Sequence, residues 1–374
     1  MSRELETWEE VGQRVAAARL AAGLTQAEAA GQADIERTAL AKIERGQRHV
    51  SALELSRLSV ALRRPLDWFV RESLPAVVSR RAELEDEAST AALDELVEQL
   101  ARDVELLVEL ELLSPPDEPL AFPAPTSVGE AESAARAARE HLNFGDGPVH
   151  ELSGVVEKFG LLAFALEIDG PQLDGAYVSL DGFGIALVNG QQKTGRRRFT
   201  LAHELGHHVF QDAYATDWAL TETGGGSEQM INAFAAHFLL PRSAALHRWQ
   251  ELGGSGDVRS AALRLAVEYR MSWSALCAHL RNIGLISVRE RTRLVSDQPR
   301  KAEFMELGVL PVEELRAPQV PTGYLSAVLR GYRLYRLGVG RAVELLWGTN
   351  HEDELPVRQR LPMDALRGEL GIPL

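Results

Sequence analysis

The sequence contains almost no cysteine and no long apolar segment. Cys277 is the only cysteine among 374 residues, which excludes an intrachain disulfide and a zinc site built from several thiolates. No run of 18 or more apolar residues occurs, so we expect no transmembrane helix. Residues 1–10 carry four glutamates and no apolar stretch, which argues against a signal peptide. Together these features predict a cytoplasmic protein.

Basic residues are outnumbered by acidic residues, 40 to 54, and they are unevenly distributed along the chain. The formal net charge of −14 argues against a surface that coats nucleic acid or anionic membrane as a whole. Residues 36–64, however, hold seven basic and three acidic residues, whereas residues 71–125 hold four basic and fourteen acidic residues. The first of these segments is therefore compatible with one local DNA-binding face.

The chain length and one proline-rich stretch indicate several domains. At roughly 150 residues per domain, 374 residues suggest two to three domains. Proline is dense over 114–126, which favours an extended linker because proline stops helices. We therefore predict four parts: an N-terminal domain over 1–72, an acidic helical segment with a linker over 73–126, a third domain over 127–290, and a helical region of unassigned role over 291–374.

The N-terminal part reads as a cluster of short helices. Gly23 has the position of a residue that ends the first helix. Thr25 and Glu28 form a capping box at the start of the second helix. A third helix is predicted over about 36–45, with Gly46 closing it. This part is therefore predicted to be an all-α domain.

The remaining elements predict a mainly α fold with a small antiparallel β-sheet, in the α+β class. Short apolar runs over 161–166, 175–180 and 184–189 are separated by Gly/Asp turns, as in hairpins. Residues 81–113 have leucine and valine at helical spacing. That helix either packs one face on a neighbour or forms a short coiled coil, which would suit a dimer.

One motif carries metal chemistry. His203, Glu204 and His207 form an H-E-x-x-H pattern. On a helix the two histidines lie one turn apart, so both rings face the same way and can share a metal ion. Zinc lowers the pKa of a bound water towards about 7, and the glutamate can accept the proton as hydroxide attacks a carbonyl.

A catalytic zinc site needs a third protein ligand. Glu228 lies 21 residues after His207, and Asn232 lies four residues further on the same helical face. Glu228 can ligate the metal, and Asn232 can orient a ligand histidine by a hydrogen bond. Glu222 and His237 are weaker candidates for the third ligand. The alternative interpretation of Glu228 is that its negative charge is only stabilised by the helix dipole in the first turn of its helix.

Other polar residues have simpler interpretations. His208 follows the second ligand and points about 100° away from it, so a surface or supporting role is expected. His247 and His279 are expected to be surface or packing residues. Tyr177 and Tyr214 could stabilise an oxyanion, but packing of a buried ring is favoured.

Residues 196–208 and 228–241 together resemble the ImmA/IrrE metallopeptidase family, and the resemblance covers about 130–290. In that family the paired histidines and the later glutamate hold zinc. The resemblance therefore implies a zincin-like domain. Zinc would be held by His203, His207 and Glu228, and Glu204 would be the general base. His237 is a departure, because the family usually has an acidic residue there.

Residues 23–30 and 40–46 resemble the Cro/phage-repressor (XRE) type of helix-turn-helix. A phosphate contact is expected at the start of the second helix, base contacts from the third helix in the major groove, and further phosphate contacts after it. The predicted DNA-binding residues are, in order, Gln26, Glu36, Arg37, Thr38, Lys42, Arg45 and Arg48. Glu36 departs from expectation because a carboxylate repels phosphate. The alternative is a protein-interaction domain.

These features predict a DNA-binding transcriptional regulator with a zinc-dependent endopeptidase domain, acting in stress-responsive control. The resemblance implies that its substrate is a helix-turn-helix repressor or an antitoxin. A double-stranded DNA operator and a homodimer are expected, because repressor half-sites pair by two-fold symmetry. The alternative is a non-cleaving XRE regulator or antitoxin of a toxin–antitoxin pair, whose zincin-like domain senses a ligand or partner. Glu204 counts against it, because zinc binding alone needs no base.

Overall fold

The computed structural model divides the chain into two compact units. One contains residues 1–76 and 85–98, and the other contains 77–84 and 99–374. The residues that the structure describes are 7–62, 64, 66–70, 79–82, 87–116, 120–168, 173–210, 225–254, 256–310 and 312–358.

The first unit is all-helical. Its helices are α1 (Trp8–Ala21), α2 (Gln26–Gln32), α3 (Arg37–Glu44) and α4 (Ala52–Ala61), followed by a 3₁₀ turn over Leu66–Phe69. The predicted capping box is present: the Glu28 amide donates to the Thr25 hydroxyl at 3.3 Å, and the Thr25 amide donates to the Glu28 carboxylate at 2.8 Å. Gly23 and Gly46 both have φ of +67°, the left-handed conformation that glycine adopts without strain. Leu40, Ile43 and Leu58 are buried in the core of this unit.

The second unit is built around a four-stranded sheet. Its strands are β1 (Ser79–Ala82), β2 (Leu161–Leu166), β3 (Leu173–Leu180) and β4 (Phe183–Asn189), in the order β1-β3-β4-β2. β3 and β4 form the predicted hairpin at Gly182, and β1 pairs antiparallel with β3.

The mainly helical fold with a small sheet is confirmed, but two details were wrong. β4 lies between β2 and β3, so these two strands do not pair although they are consecutive in sequence. Instead β2 pairs with β4, and the pairing is parallel. The helix in the structure is shorter than the one expected over 81–113. Residues 79–82 form strand β1, and α5 spans Glu87–Glu109. A short apolar run predicts a strand but not the strand with which it pairs. The regular apolar spacing of α5 led to a helix being predicted across residues 81–82 as well.

The apolar face of α5 is buried within the chain. Leu93, Val97, Leu100, Val104 and Leu107 are all at most 1% exposed. They follow each other at helical spacing of three and four residues. This burial agrees with the packing interpretation of the segment, because a coiled coil would need the same face for a partner.

The second unit also contains a series of helices along the rest of its chain. They are α6 (Val128–His141), α7 (Leu152–Glu157), α8 (Thr194–Val209), α9 (Gly225–Leu239), α10 (Arg242–Glu251), α11 (Val258–Glu268), α12 (Trp273–Asn282), α13 (Val288–Ser296), α14 (Lys301–Glu306), α15 (Thr322–Arg333) and α16 (Val339–Leu345). None of the helices in the described part of the chain is long and apolar enough to cross a bilayer.

α8 lies at the centre of this unit because glycine permits close packing on two of its sides. A β-carbon on Gly175 of β3 would lie 2.7 Å from the Thr200 methyl group of α8. A β-carbon on Gly206 of α8 would lie 3.0 Å from Ile231 and 3.2 Å from Phe234, both on α9. Helix α8 is therefore wedged between the sheet and α9.

Ion pairs hold the first turns of α8. Arg197 lies 2.6 Å from Glu313, and Arg198 pairs with Glu314. The Arg198 side chain is fully buried and also donates to the Val149 carbonyl at 2.6 Å. Removing one partner of such a buried pair leaves a desolvated charge, which typically costs about 3–5 kcal/mol.

The described part of the proline-rich segment lies against the second unit. The Phe122 amide donates to the Val209 carbonyl at 2.7 Å, next to the end of α8. Leu120 and Phe122 pack on the main hydrophobic core. These contacts differ from those of a free extended linker; residues 117–119 lie outside the described part.

The C-terminal helices pack on the same unit. Asp103 of α5 lies 2.7 Å from Arg341 of α16 and accepts a hydrogen bond from the Trp347 indole at 3.1 Å. Tyr324 of α15 packs edge-to-face on Phe164 of β2, with ring centroids 5.0 Å apart. Residues 359–374 of the predicted C-terminal region lie outside the described part.

Candidate metal centre and nucleic-acid interface

The H-E-x-x-H motif lies on α8, where its helical spacing brings both imidazoles together. The Nε2 atoms of His203 and His207 are 3.1 Å apart. His203, Glu204 and His207 are 1%, 0% and 6% exposed, and one ligand atom from each lies within 4.8 Å of the others. The structure thus forms a buried group that could hold a metal ion.

Helix α9 supplies the acidic group expected from the sequence. One Glu228 carboxylate oxygen lies 3.4 Å from His203 Nε2, and the other lies 3.6 Å from His207 Nε2. The Glu228 side chain is 39% exposed, so it borders solvent as well as the two buried histidines. Its position in the first turn of α9 places its carboxylate beside the two histidines, on the same helix as Asn232.

Asn232 fixes the protonation of one histidine. Its amide nitrogen donates to the Glu228 backbone carbonyl at 2.8 Å, so its side-chain oxygen is the acceptor that faces His203. His203 Nδ1 lies 3.2 Å from that oxygen and must therefore be the donor. A proton on Nδ1 leaves His203 Nε2 with a lone pair directed at His207 and Glu228.

These three residues fit a zinc ion. Ligand atoms about 2.0–2.1 Å from zinc lie about 3.3–3.4 Å apart in a tetrahedron. The two imidazole Nε2 atoms are 3.1 Å apart, one Glu228 oxygen is 3.4 Å from His203 Nε2, and the other is 3.6 Å from His207 Nε2, distances close to that edge. A carboxylate and two imidazole nitrogens facing one another are a donor set that zinc binds. Glu204 adds a second, fully buried carboxylate beside the group.

His208 and Tyr177 support the site from the sheet side. His208 Nε2 lies 2.7 Å from the Phe159 carbonyl and so carries the proton, which leaves Nδ1 to accept from the Tyr177 hydroxyl at 3.1 Å. The Tyr177 ring stacks on His207 with a centroid distance of 6.3 Å. The supporting role of His208 and the buried ring of Tyr177 agree with expectation; Tyr214 and the rival ligand Glu222 lie outside the described residues.

A groove of about 900 Å³ starts beside the metal group. Glu228 and Asn232 are among the residues that line it, and helices α9 and α12 supply most of the others. Small side chains on both helices leave the space open: Ala233, Ala236, Ala275 and Ala278. Arg196 lies on its border and pairs with the buried Asp174 at 2.9 Å. The groove has room for an extended stretch of polypeptide.

His237 and His279 lie in the same groove, away from the described metal group. The rival ligand His237 faces Glu132, whose carboxylate lies 3.6 Å from its Nε2. His279, expected to be a surface or packing residue, is buried, and its Nε2 donates to the Leu240 carbonyl at 2.9 Å. Burial lowers the pKa of His279 to about 3 and also lowers the pKa of His237, so both rings are neutral at pH 7.

Helix α3 presents most of the predicted DNA-binding residues to solvent. Arg37, Thr38 and Lys42 are exposed, while Leu40 and Ile43 on the opposite side are buried. Glu36 is the exposed N-cap residue of α3. Arg45 is exposed at the other end and donates to the Ala41 carbonyl at 2.8 Å. This exposed face has the composition of a recognition helix.

Gln26 and Arg48 have partners within the first unit. The Gln26 amide donates to the buried Glu44 carboxylate at 2.7 Å, and Arg19 donates to the same carboxylate at 2.6 Å. Arg48 lies 2.8 Å from Glu54 of α4. Glu44 was not singled out from the sequence, although a carboxylate on the buried face of a basic helix is a recognisable sign of such a partner.

Two family models match the chain. The helix-turn-helix model matches residues 15–69, and the model of the IrrE N-terminal-like domain, a peptidase family, matches residues 156–281. A crystal structure of the restriction-modification controller protein C.AhdI from Aeromonas hydrophila is similar at 32% identity over 17% of this chain and 94% of that chain, with a TM-score of 0.16. None of the curated proteins compared with the chain matches it. The two resemblances are thus confirmed: the chain carries a helix-turn-helix DNA-binding domain followed by a domain of the IrrE N-terminal-like metallopeptidase family.

Proposed function

We propose that the chain is a DNA-binding regulator whose second unit is a zinc-dependent endopeptidase. One observation carries the proposal. The Nε2 atoms of His203 and His207 lie 3.1 Å apart, and the Glu228 carboxylate faces both, with one oxygen 3.4 Å from His203 Nε2 and the other 3.6 Å from His207 Nε2, which are separations that ligands of one zinc ion have. Glu228 also lines the groove, so a substrate in the groove would lie beside the residues that would hold zinc.

Each residue near the metal group has a separable role. Bound zinc would polarise the substrate carbonyl and lower the pKa of the attacking water. Glu204 accepts the proton from that water and delivers it to the nitrogen of the leaving amine. Asn232 keeps the proton of His203 on Nδ1, so that Nε2 remains a ligand atom. The position of Glu204, fully buried beside the two histidines, supports the role of general base over a purely sensory site, because zinc binding alone needs no base.

The groove supports a polypeptide substrate. The groove of about 900 Å³ between α9 and α12 lies at the upper end of the range for ligand sites, about 300–1,000 Å³, and Glu228 lines it. We infer that a segment of the substrate lies along it in an extended conformation. The substrate implied by the resemblance is a helix-turn-helix repressor or antitoxin, and a DNA-binding unit in the same chain would hold the peptidase near operators where such repressors bind.

The first unit supports sequence-specific binding of double-stranded DNA. We propose that Arg37, Thr38 and Lys42 contact base edges in the major groove, and that Gln26 and Arg45 contact phosphates. Operators of such regulators are two-fold symmetric, and a homodimer would therefore bind two half-sites. Arg48 must release Glu54 to reach a phosphate.

The test compares cells that carry the wild type with cells that carry Glu204→Gln, by mapping new protein N-termini under DNA damage and other stresses. The substitution keeps the size and the buried position of the side chain but removes the base. His247→Gln is the matched control, because the His247 side chain is 71% exposed and lies outside the metal group. New termini in one repressor that need Glu204 would support the peptidase. Equal termini in both strains, with transcription still altered by deleting residues 1–70, would favour the non-cleaving regulator.

A further inference from the structure

Strand β1 belongs to the second unit, although the chain on both sides of it belongs to the first. Residues 77–84 are part of the second unit, whereas residues 1–76 and 85–98 are part of the first. β1 (Ser79–Ala82) thereby adds an edge strand to a sheet whose other strands come from residues 161–189. A short segment that follows the DNA-binding domain in sequence thus completes one edge of the sheet in the peptidase unit.

β1 is the strand of this sheet that can be exchanged at least cost. It lies at the end of the strand order and pairs antiparallel with β3 over four residues, with a register shift between Arg81 and Ala82. β3 and β4, in contrast, pair in unbroken register from Gly175 to Leu180 of β3. A short pairing at a sheet edge has few backbone hydrogen bonds to lose when another strand replaces it.

The metal group lies on the side of the sheet to which β1 is added. The Tyr177 ring of β3 stacks on the ligand His207, with ring centroids 6.3 Å apart. His208, the next residue of α8, instead reaches the Phe159 carbonyl just before β2, which is the strand at the other end of the sheet. The ligand histidine is therefore directed to β3, the strand that β1 covers.

The outer edge of β3 leads from the metal group to the groove. Ser79 of β1 lies opposite Tyr177, and the pairing continues along β3 to the groove residue Asp174, about 10 Å away at the rise of a strand. Asp174 lies at the register shift, so it has no partner in β1, and its carboxylate pairs with Arg196 on the border of the groove. A peptide paired with β3 would therefore pass the metal group and continue into the groove.

An extended substrate and β1 would use the same groups of β3. A sheet edge offers a row of backbone N–H and C=O groups, and an extended peptide binds it by adding a strand. Because β1 is part of the same chain, its effective concentration at this edge is on the order of millimolar. β1 would therefore keep a dilute substrate from the edge for most of the time.

We propose that the outer edge of β3 is the binding surface for an extended segment of the protein substrate, and that residues 79–82 block it as an intramolecular substitute for that segment. This proposal rests on the proposed endopeptidase function. Cleavage requires β1 to leave the edge, so the pairing of β1 with β3 keeps the peptidase activity low.

A disulfide that locks β1 on β3 tests the proposal in one direction. Arg80 and Ala176 are opposite each other in the register, and such residues have Cα atoms about 4.5–5.5 Å apart, a distance that a disulfide spans. The full-length, zinc-loaded variant Arg80→Cys/Ala176→Cys is given a peptide library made by tryptic digestion of a bacterial proteome, and cut sites are counted by mass spectrometry. We expect cleavage to fall at least about fivefold in the oxidised form and to return when TCEP reduces the bond. The wild type, whose single Cys277 is buried, is the control and should not depend on TCEP.

A variant that releases β1 tests the opposite direction. Amides of consecutive strand residues point alternately towards and away from the neighbouring strand, so one of the Arg80 and Arg81 amides faces β3. Arg80→Pro/Arg81→Pro removes that amide, and we expect cleavage to rise at least about fivefold. Arg80→Gln/Arg81→Gln loses the same two charges but keeps both amides, so it should not show this rise. The reversible disulfide remains decisive if the proline variant fails to fold.

Two results would overturn the proposal. They are equal cleavage by the oxidised and reduced forms of the disulfide variant, and no rise in a proline variant that unfolds at the same urea concentration as the glutamine variant. If no form cuts any peptide, the endopeptidase proposal itself fails, and binding then decides the role of the edge. A fluorescein-labelled peptide with the sequence of residues 77–84 should bind the reduced disulfide variant more tightly than the oxidised one in fluorescence anisotropy, and equal binding would refute the binding surface.

Discussion

Replacing Asn232 by alanine should weaken zinc binding without removing a ligand. The substitution deletes the 3.2 Å hydrogen bond to His203 Nδ1 and the 2.8 Å bond to the Glu228 carbonyl. Each such bond contributes about 1 kcal/mol. Loss of an orienting partner of a metal ligand typically costs 10- to 100-fold in affinity, which is about 1.4–2.7 kcal/mol. We therefore expect the Kd for zinc to rise by about 10- to 100-fold.

The affinity can be measured by competition with a chromophoric chelator at fixed pH. Asn232→Asp keeps an oxygen acceptor for His203 and should bind zinc more tightly than Asn232→Ala. Asn282→Ala is the matched control, because Asn282 lines the same groove but makes no contact with the metal group among the described residues. Wild-type affinity in Asn232→Ala, or weaker binding in the aspartate variant than in the alanine variant, would refute the assigned tautomer and role.

Packing and charge lead to three further predictions. Gly175→Ala should destabilise the second unit by about 1–3 kcal/mol in urea unfolding, because the added β-carbon would lie 2.5 Å from the Leu187 carbonyl oxygen and 2.7 Å from the Thr200 methyl group. Burial raises the pKa of Asp103 from 3.8 to about 6 despite the nearby Arg341. The folded state then binds more protons than the unfolded state over this range, so the free energy of unfolding should fall as pH rises from about 4 to about 6, and Asp103→Asn should lessen that fall. Arg45→Ala should weaken binding of operator DNA in fluorescence anisotropy and decrease the salt slope by about 0.9, because Arg45 is the cation proposed to contact a phosphate.

Local geometry explains why the metal group could be predicted from the sequence. Residues four apart on one helix must lie on one face, so His203 and His207 meet whatever the rest of the fold does. Glu228 reaches the two histidines because α9 packs on α8, and Gly206 allows this packing to be close. The capping box of Thr25 is a similar local feature, because its hydrogen bonds join residues three apart.

Long-range contacts explain what the sequence analysis missed. His237 meets His279 only because α9 and α12 line one groove, and the two residues are 42 positions apart. Arg197 and Glu313 are separated by 116 residues, so no local pattern links them. The parallel pairing of β2 with β4 was missed for the same reason, since strand order depends on which edge of the hairpin a third strand joins. The periodicity of apolar residues predicts a helix or a strand, whereas the elements that pack against it depend on the packing of the whole core.

The most direct test of the account measures zinc content and endopeptidase activity together in the purified full-length wild type and Glu204→Gln. We predict one zinc ion per chain in both proteins, since Glu204 is the base and the ligands are His203, His207 and Glu228. Cleavage of a peptide library should occur with the wild type and fall by at least about 100-fold in Glu204→Gln. Equal activity in the two proteins, or loss of zinc from Glu204→Gln, would contradict the roles assigned to these residues.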